Sequence, residues 1–179
     1  MPPSDSNSGS SSPGARYEVL LQLLHTADTF WNASWSFFSR WDLGPSQFNI
    51  LNLLFLNPEG LSQTELSRRL IMNRSNVTGL VDRLEERGLL QRTAAESDRR
   101  AYRVVLTTAG KKLLEKILPT YHGAAERVWQ HLAPPQTAEV IALLRQAAVN
   151  AQQIADEVKT GSASPPGREP SPKSKRGTA

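Results

Sequence analysis

Apolar residues recur at three- and four-residue spacing along most of this chain, and that period predicts helices. From Tyr17 to Trp41 they fall at Leu20, Leu23, Leu24, Ala27, Phe30, Trp31, Phe37, Phe38 and Trp41. Gly44-Pro45 breaks the run, and Pro45 suits the first turn of a new helix. That helix reads through "QFNILNLLFLN" until Asn57-Pro58-Glu59-Gly60 ends it. Ser62, with Glu65 three residues on, is a capping-box pattern and predicts a short helix over 62–70. A three-residue turn follows, and Asn73 is a good N-cap for the next helix. There Val77, Leu80, Val81 and Leu84 share one face, and Gly88 closes the element. The period then changes. "LLQRT" and "YRVVLT" are β-prone runs joined by the polar "AAESDRRA". A long helix is expected from Thr108, with Pro119 as a point of bending. Pro134-Pro135 open a last helix carrying Val140, Ile141, Leu144, Ala148 and Ile154 on its apolar stripe.

A short capped helix, a three-residue turn and an amphipathic helix make a helix-turn-helix unit, and the hairpin after it reads as a wing. An α-helix fits the major groove, where its N-terminal residues meet base edges. With the valines and leucines inward, Arg74, Ser75, Asn76 and Thr78 lie outward. Arginine can pair with guanine, asparagine with adenine, and a threonine methyl can touch thymine's. The plain alternative is a solvated helix face, the common state of an isolated amphipathic helix.

Charge sharpens the picture. The 179 residues carry a formal net charge of +4, a balance that only weakly favours polyanion partners. Its placement says more: Leu66 to Arg103 holds nine arginines against five acidic residues. Residues 1–14 and 160–179 are rich in Ser, Pro and Gly and are expected to be flexible tails, the second basic through Lys173, Lys175 and Arg176. One domain is therefore expected over 15–159. With no cysteine, a disulfide framework and a thiolate metal site are excluded. The three histidines lack metal spacing, and neither a nucleophile–base pair nor a phosphate loop is legible, so no metal, cofactor or enzyme activity is expected. No apolar run is long enough to span a membrane.

The stretches "LSQTELSRRL", "NVTGLVDRLEERGLL" and "SDRRAYRVVLTTAG" resemble the MarR family of bacterial winged helix-turn-helix regulators, over about Leu43 to Pro119. The resemblance implies a mainly α fold with a small β-hairpin wing (α+β), the winged domain at 45–107 flanked by dimerisation helices at 15–42 and 108–159. It implies a homodimer on double-stranded DNA, acting in the bacterial cytoplasm and on the nucleoid. Together the residues and the resemblance nominate Ser62, Gln63, Asn73, Arg74, Ser75, Asn76, Thr78, Gly79, Arg83, Arg92, Asp98, Arg99 and Arg100 as the DNA-binding set. Asp98 would hold Arg100 by a forked contact while Arg100 enters the minor groove. Two departures stand out: Gly44 replaces a frequent threonine cap, and Ile71 replaces a common glycine. The missing cysteine excludes the peroxide-sensing branch.

Many family members bind small aromatic ligands between the DNA-binding lobe and the dimerisation helices. His25, Phe30, Trp31, Trp35, Phe38 and Tyr121 are the candidate effector pocket here, against the plain reading of core and interface packing. Two functions follow. One is a sequence-specific homodimeric repressor of a pseudo-palindromic operator, released by a small aromatic ligand. The other is a winged-helix protein-interaction or non-specific DNA-coating module without an effector.

Overall fold

The computed structural model describes residues 14–95 and 98–161, with backbone alone at residues 95 and 98–101. Six helices and one hairpin follow in order. They are α1 (Ala15–Phe38), α2 (Pro45–Phe55), α3 (Gln63–Leu70), α4 (Arg74–Glu86), β1 (Leu90–Ala95), β2 (Asp98–Leu106), α5 (Thr108–Trp129) and α6 (Pro134–Thr160). The mainly helical fold with a two-stranded antiparallel wing is the one expected. The tails at 1–13 and 162–179 lie outside the described residues.

The chain forms two compact units that divide after Tyr121, inside α5. The first holds α1 to β2 and the opening turns of α5. Its core is apolar: Phe38, Phe48, Leu51, Leu66, Val77, Val81, Leu84, Leu114 and Ile117 are all 1% exposed or less. Phe38 stacks on Phe48 at 4.1 Å, and the Tyr121 ring sits 4.9 Å from Phe48. The second unit contains the end of α5, with Pro119 already behind it, and α6, whose Leu144, Ile154 and Val158 are exposed.

Local chemistry sets the boundaries. The predicted first helix tightens into a 3-10 turn over Ser39–Trp41, and Asp42 then takes a left-handed conformation at φ 52°. Gly44 N–H donates to Gln47 Oε1 at 2.9 Å, which supplies an end contact where no side-chain cap exists. Gly60 has φ +75°, and a Cβ there would lie 2.6 Å from the Val104 carbonyl oxygen. The bare backbone lets Leu61 pair with Val104 in an isolated bridge, N–H to O at 3.0 and 2.8 Å. α4 ends in a Schellman motif: Gly88 N–H reaches the Glu85 carbonyl at 2.8 Å and Leu89 N–H the Leu84 carbonyl at 3.0 Å. Gly88, at φ +67°, supplies the left-handed residue that this motif requires.

α3 ends the same way, but with isoleucine. Met72 N–H reaches the Ser67 carbonyl at 3.0 Å, and Ile71 sits at φ +53° with 90% exposure. A β-branched residue in that region is strained by about 1–2 kcal/mol. Its exposed side chain supplies little burial in return. Ile71→Gly is therefore expected to stabilise the protein by about 1 kcal/mol. Urea unfolding checks it: the midpoint should rise with an unchanged slope. A lower midpoint would show that Ile71 is held by packing and not tolerated in spite of strain.

Candidate nucleic-acid interface

The site is assembled around α4, and each side of that helix has its own task. The inner side is core, with Val77, Val81 and Leu84 fully buried. One flank faces α3 and the wing. The Thr78 hydroxyl lies 3.1 Å from Gln63 Oε1 and 3.0 Å from the Arg74 carbonyl oxygen. Further along the same flank, Asp82 and Glu85 both take the Arg92 guanidinium of β1 in short contacts. Arg92 N–H also donates to Glu85 Oε1 at 2.8 Å. The hydrogen bond to Asp82, and then the charges of Glu85 and Asp82, raise the Arg92 pKa against the opposing effect of burial.

The opposite flank is Asn76, Leu80 and Arg83. Together with Trp35, Gly44, Ser46, Gln47 and Met72 these residues line an open cavity of about 540 Å³. The outer edge of the Trp35 indole lies so close to Gly44 that a Cβ there would sit 2.9 Å from the ring. That contact favours glycine at a position where the family often has a threonine cap. What remains on the outward side of α4 is Ser75, the part-exposed Gly79 and Glu86, with Arg74 exposed at the N-terminal end.

α3 is fixed before α4 by its cap. Glu65 N–H donates to Ser62 Oγ at 3.2 Å, and Ser62 N–H donates to Glu65 Oε2 at 2.8 Å, the reciprocal capping box. Those backbone and side-chain hydrogen bonds from Ser62, with the Arg103 and Arg69 charges behind them, hold the Glu65 carboxyl below its ordinary value. Asn73 occupies the N-cap position of α4, yet its side chain makes no cap hydrogen bond, contrary to the expectation; its carbonyl accepts from Val77 N–H at 3.2 Å.

The nominated residues therefore separate. Arg74, Ser75, Asn76 and Arg83 are exposed side chains of α4. Ser62, Gln63 and Thr78 are engaged in holding α3 and α4. Arg92, nominated as a DNA contact, has its part-exposed guanidinium paired with two carboxylates. Asp98, Arg99 and Arg100 open β2, but their side chains, and so the expected Asp98–Arg100 pair, lie outside the described residues.

The six aromatic-pocket candidates do not converge. Phe38 is 1% exposed and belongs to the core, and Tyr121 packs against it, ring centres 5.3 Å apart. Both were drawn into the core by Phe48, whose pull the spacing of α1 alone does not reveal. His25, Phe30 and Trp31 sit on the exposed length of α1, and Trp35 is the candidate that lines a cavity.

Two features escaped the sequence reading. The Asp82–Glu85–Arg92 cluster joins residues whose i, i+3 spacing on α4 was legible, but whose strand partner was not. Tyr102 is the other: it is 59% exposed, and alternation along β2 puts it on the face of Val104, which is opposite Arg92. Among the described residues, no helix is long and apolar enough to cross a membrane.

The capping box gives a pH test. A carboxyl lowered by folding contributes stability that is present above its unfolded value, about 4.3, and lost as pH falls through the lower folded value. Glu65→Ala is expected to be less stable than wild type by about 1 kcal/mol at neutral pH. Urea midpoints should converge as pH is lowered toward about 3. A gap independent of pH would mean that the charge of Glu65 contributes nothing to the cap.

Comparison with known proteins agrees with this geometry. A model described as the MarR family matches residues 41–101. The chain is 32% identical over 111 residues to an uncharacterised HTH-type transcriptional regulator of Bacillus subtilis, YkoM, covering 62% of this chain and 71% of that one. It is 31% identical over 115 residues to the HTH-type transcriptional repressor YetL of the same organism, covering 64% and 69%. Among solved structures, CouR from Rhodococcus jostii RHA1 bound to p-coumaroyl-CoA superposes with a TM-score of 0.70 at 24% identity, covering 76% of this chain and 96% of that chain.

Proposed function

The chain belongs to the MarR family of transcriptional regulators, and we propose that it is a homodimeric repressor that reads a pseudo-palindromic duplex operator and is released by a small aromatic ligand. The observation that carries the DNA reading is α4 itself. Its inner face is buried and one flank is tied to α3 and the wing. Its exposed face presents Arg74, Ser75, Asn76 and Arg83 on a rigid support. These residues meet base edges in the major groove, and Arg68 and Arg69, exposed on α3, attract phosphates without regard to sequence. At the wing tip Arg100 enters the minor groove, held by Asp98.

A second copy accounts for the exposed apolar surface. On α1, Tyr17, Leu20 and Leu24 are 49, 49 and 54% exposed; on α6, Ile154 and Val158 are 61 and 65% exposed. Soluble monomers rarely leave apolar patches of that extent in water. A two-fold dimer places two copies of α4 about one helical turn apart, so half-sites fall roughly 10 base pairs apart, centre to centre. Repression is inferred from YetL, a transcriptional repressor of Bacillus subtilis. The ligand reading rests on the cavity beside Trp35: an aromatic wall, the apolar Leu80 and a cation at Arg83 suit an aromatic acid, and CouR holds an aromatic thioester. Such a ligand lowers DNA affinity by occupying Asn76 and Arg83 and by binding better to a dimer whose α4 spacing is wrong for the operator. The site of action is the nucleoid of the bacterial cytoplasm.

Selection of binding sites from a random duplex library at near-physiological salt tests this reading. One inverted repeat should be enriched, bound about a thousandfold more tightly than unrelated duplex. Light scattering should give the mass of a dimer, and Arg100→Ala should weaken the operator complex about tenfold or more while leaving that mass unchanged. Recovery of no motif, with binding that vanishes as salt rises, would replace the regulator with a DNA-coating or protein-interaction module.

A further inference from the structure

α4 carries a part-exposed glycine on its outward side, and none of the described residues requires one. Gly79 is helical, and its φ is not among the positive values of the chain. Among the described residues, a Cβ added to it would meet no atom within 4 Å beyond its chain neighbours and the backbone of its own helix. The contrast with other glycines of this unit is sharp. Gly60 and Gly88 have positive φ, Gly44 lies under Trp35, and a Cβ on Gly110 would sit 2.0 Å from the Leu89 carbonyl oxygen. Those four are explained by the fold. Gly79 is not, and in a helix interior glycine is less favourable than alanine.

Its position shows where the reason lies. At about 100° per residue, Gly79 falls roughly opposite the centre of Val77, Val81 and Leu84. Asn76 and Arg83 flank it on the cavity side, and Asp82 on the wing side. Ser75 precedes it by one turn. It thus lies on the outward side of the helix, partly exposed, on one line with Ser75 and Glu86, and it adds no side chain there. A helix with its side chains is about 10–12 Å across, and the major groove is about 12 Å wide. At that fit one methyl group changes how deeply the helix sits.

We propose that Gly79 is the point of closest approach between α4 and duplex DNA, and that its missing side chain sets the depth at which Arg74, Asn76 and Arg83 reach base edges. This rests on the DNA reading of α4 given above. A residue with a side chain at position 79 holds the helix away from the groove floor. Contacts to base edges are short and directional, so they are lost first. Attraction to phosphates is longer in range and survives a small displacement.

The test uses the purified full-length protein, its selected operator and a scrambled duplex of equal length. Gly79→Ala and Gly79→Leu are compared with wild type by thermal melting and by fluorescence anisotropy. Both variants should melt higher, Gly79→Ala by about 2–4 °C. Operator affinity should fall about tenfold or more with alanine and further with leucine, while affinity for the scrambled duplex barely changes. Three results would overturn the proposal. One is wild-type operator affinity in Gly79→Ala, with Arg74→Ala still impaired, which leaves the DNA reading standing. Another is a lower melting temperature in Gly79→Ala, which makes the glycine a requirement of the fold. The third is a wild type that does not distinguish operator from scrambled duplex, which removes the DNA reading along with it.

Discussion

The guanidinium of Arg92 joins β1 of the wing to α4. It extends from β1 to Asp82 and Glu85 of α4, while the adjoining backbone N–H donates to Glu85 at 2.8 Å. A two-stranded hairpin is marginally stable alone and has no fixed direction relative to a helix. Buried Leu90 and Val104 and the Leu61–Val104 bridge seat the hairpin on the core, and a planar fork that meets two carboxylates one turn apart adds a direct link to α4. Any device that reads the major groove with a helix and the minor groove with a hairpin needs this rigidity. Without it, each contact would have to offset the entropy of ordering the other.

The rest of the first unit supports the same geometry from behind. The stacked Phe38 and Phe48 rings with Tyr121 hold the end of α1 on α2 and α5. Arg87, just past the end of α4, donates to the Trp41 carbonyl at 3.2 Å and pairs with Asp42 at 3.6 Å. The second contact is largely exposed and contributes little by itself. Arg103 Nε donates to the Glu59 carbonyl at 2.9 Å, which fixes the loop before α3 against β2. The arginine-rich character of this region is therefore divided. Arg87, Arg92 and Arg103 are spent on internal links, and Arg68, Arg74 and Arg83 remain exposed.

The order of elements was legible because hydrophobic period, capping residues and glycine positions agree with one another. Ser62 with Glu65 marked α3, and Gly88 marked the end of α4, through hydrogen bonds between residues close in sequence. What was not legible depended on distant partners. Arg92 looks like any basic residue on a wing until Asp82 and Glu85 are seen to face it. Phe38 has the same helical spacing as Trp35, yet Phe48 and Tyr121 bury one and leave the other at a cavity rim. Ile71 was noted as an unusual residue for its turn; only the backbone reveals that it adopts the left-handed conformation itself.

The central claim is that wing and recognition helix meet DNA as one rigid piece with Arg92 inside it. A double-mutant cycle on operator affinity, with Arg92→Met, Asp82→Asn and the pair measured across a salt series, tests it most directly. If the account holds, the two substitutions are non-additive, since Asp82→Asn weakens, with Glu85 still in place, the same guanidinium link that Arg92→Met removes. The slope of log affinity against log salt then stays at the wild-type value. Additive losses, with a slope reduced by about 0.9 in Arg92→Met, would mean that Arg92 neutralises a phosphate and that the wing is not clamped through it.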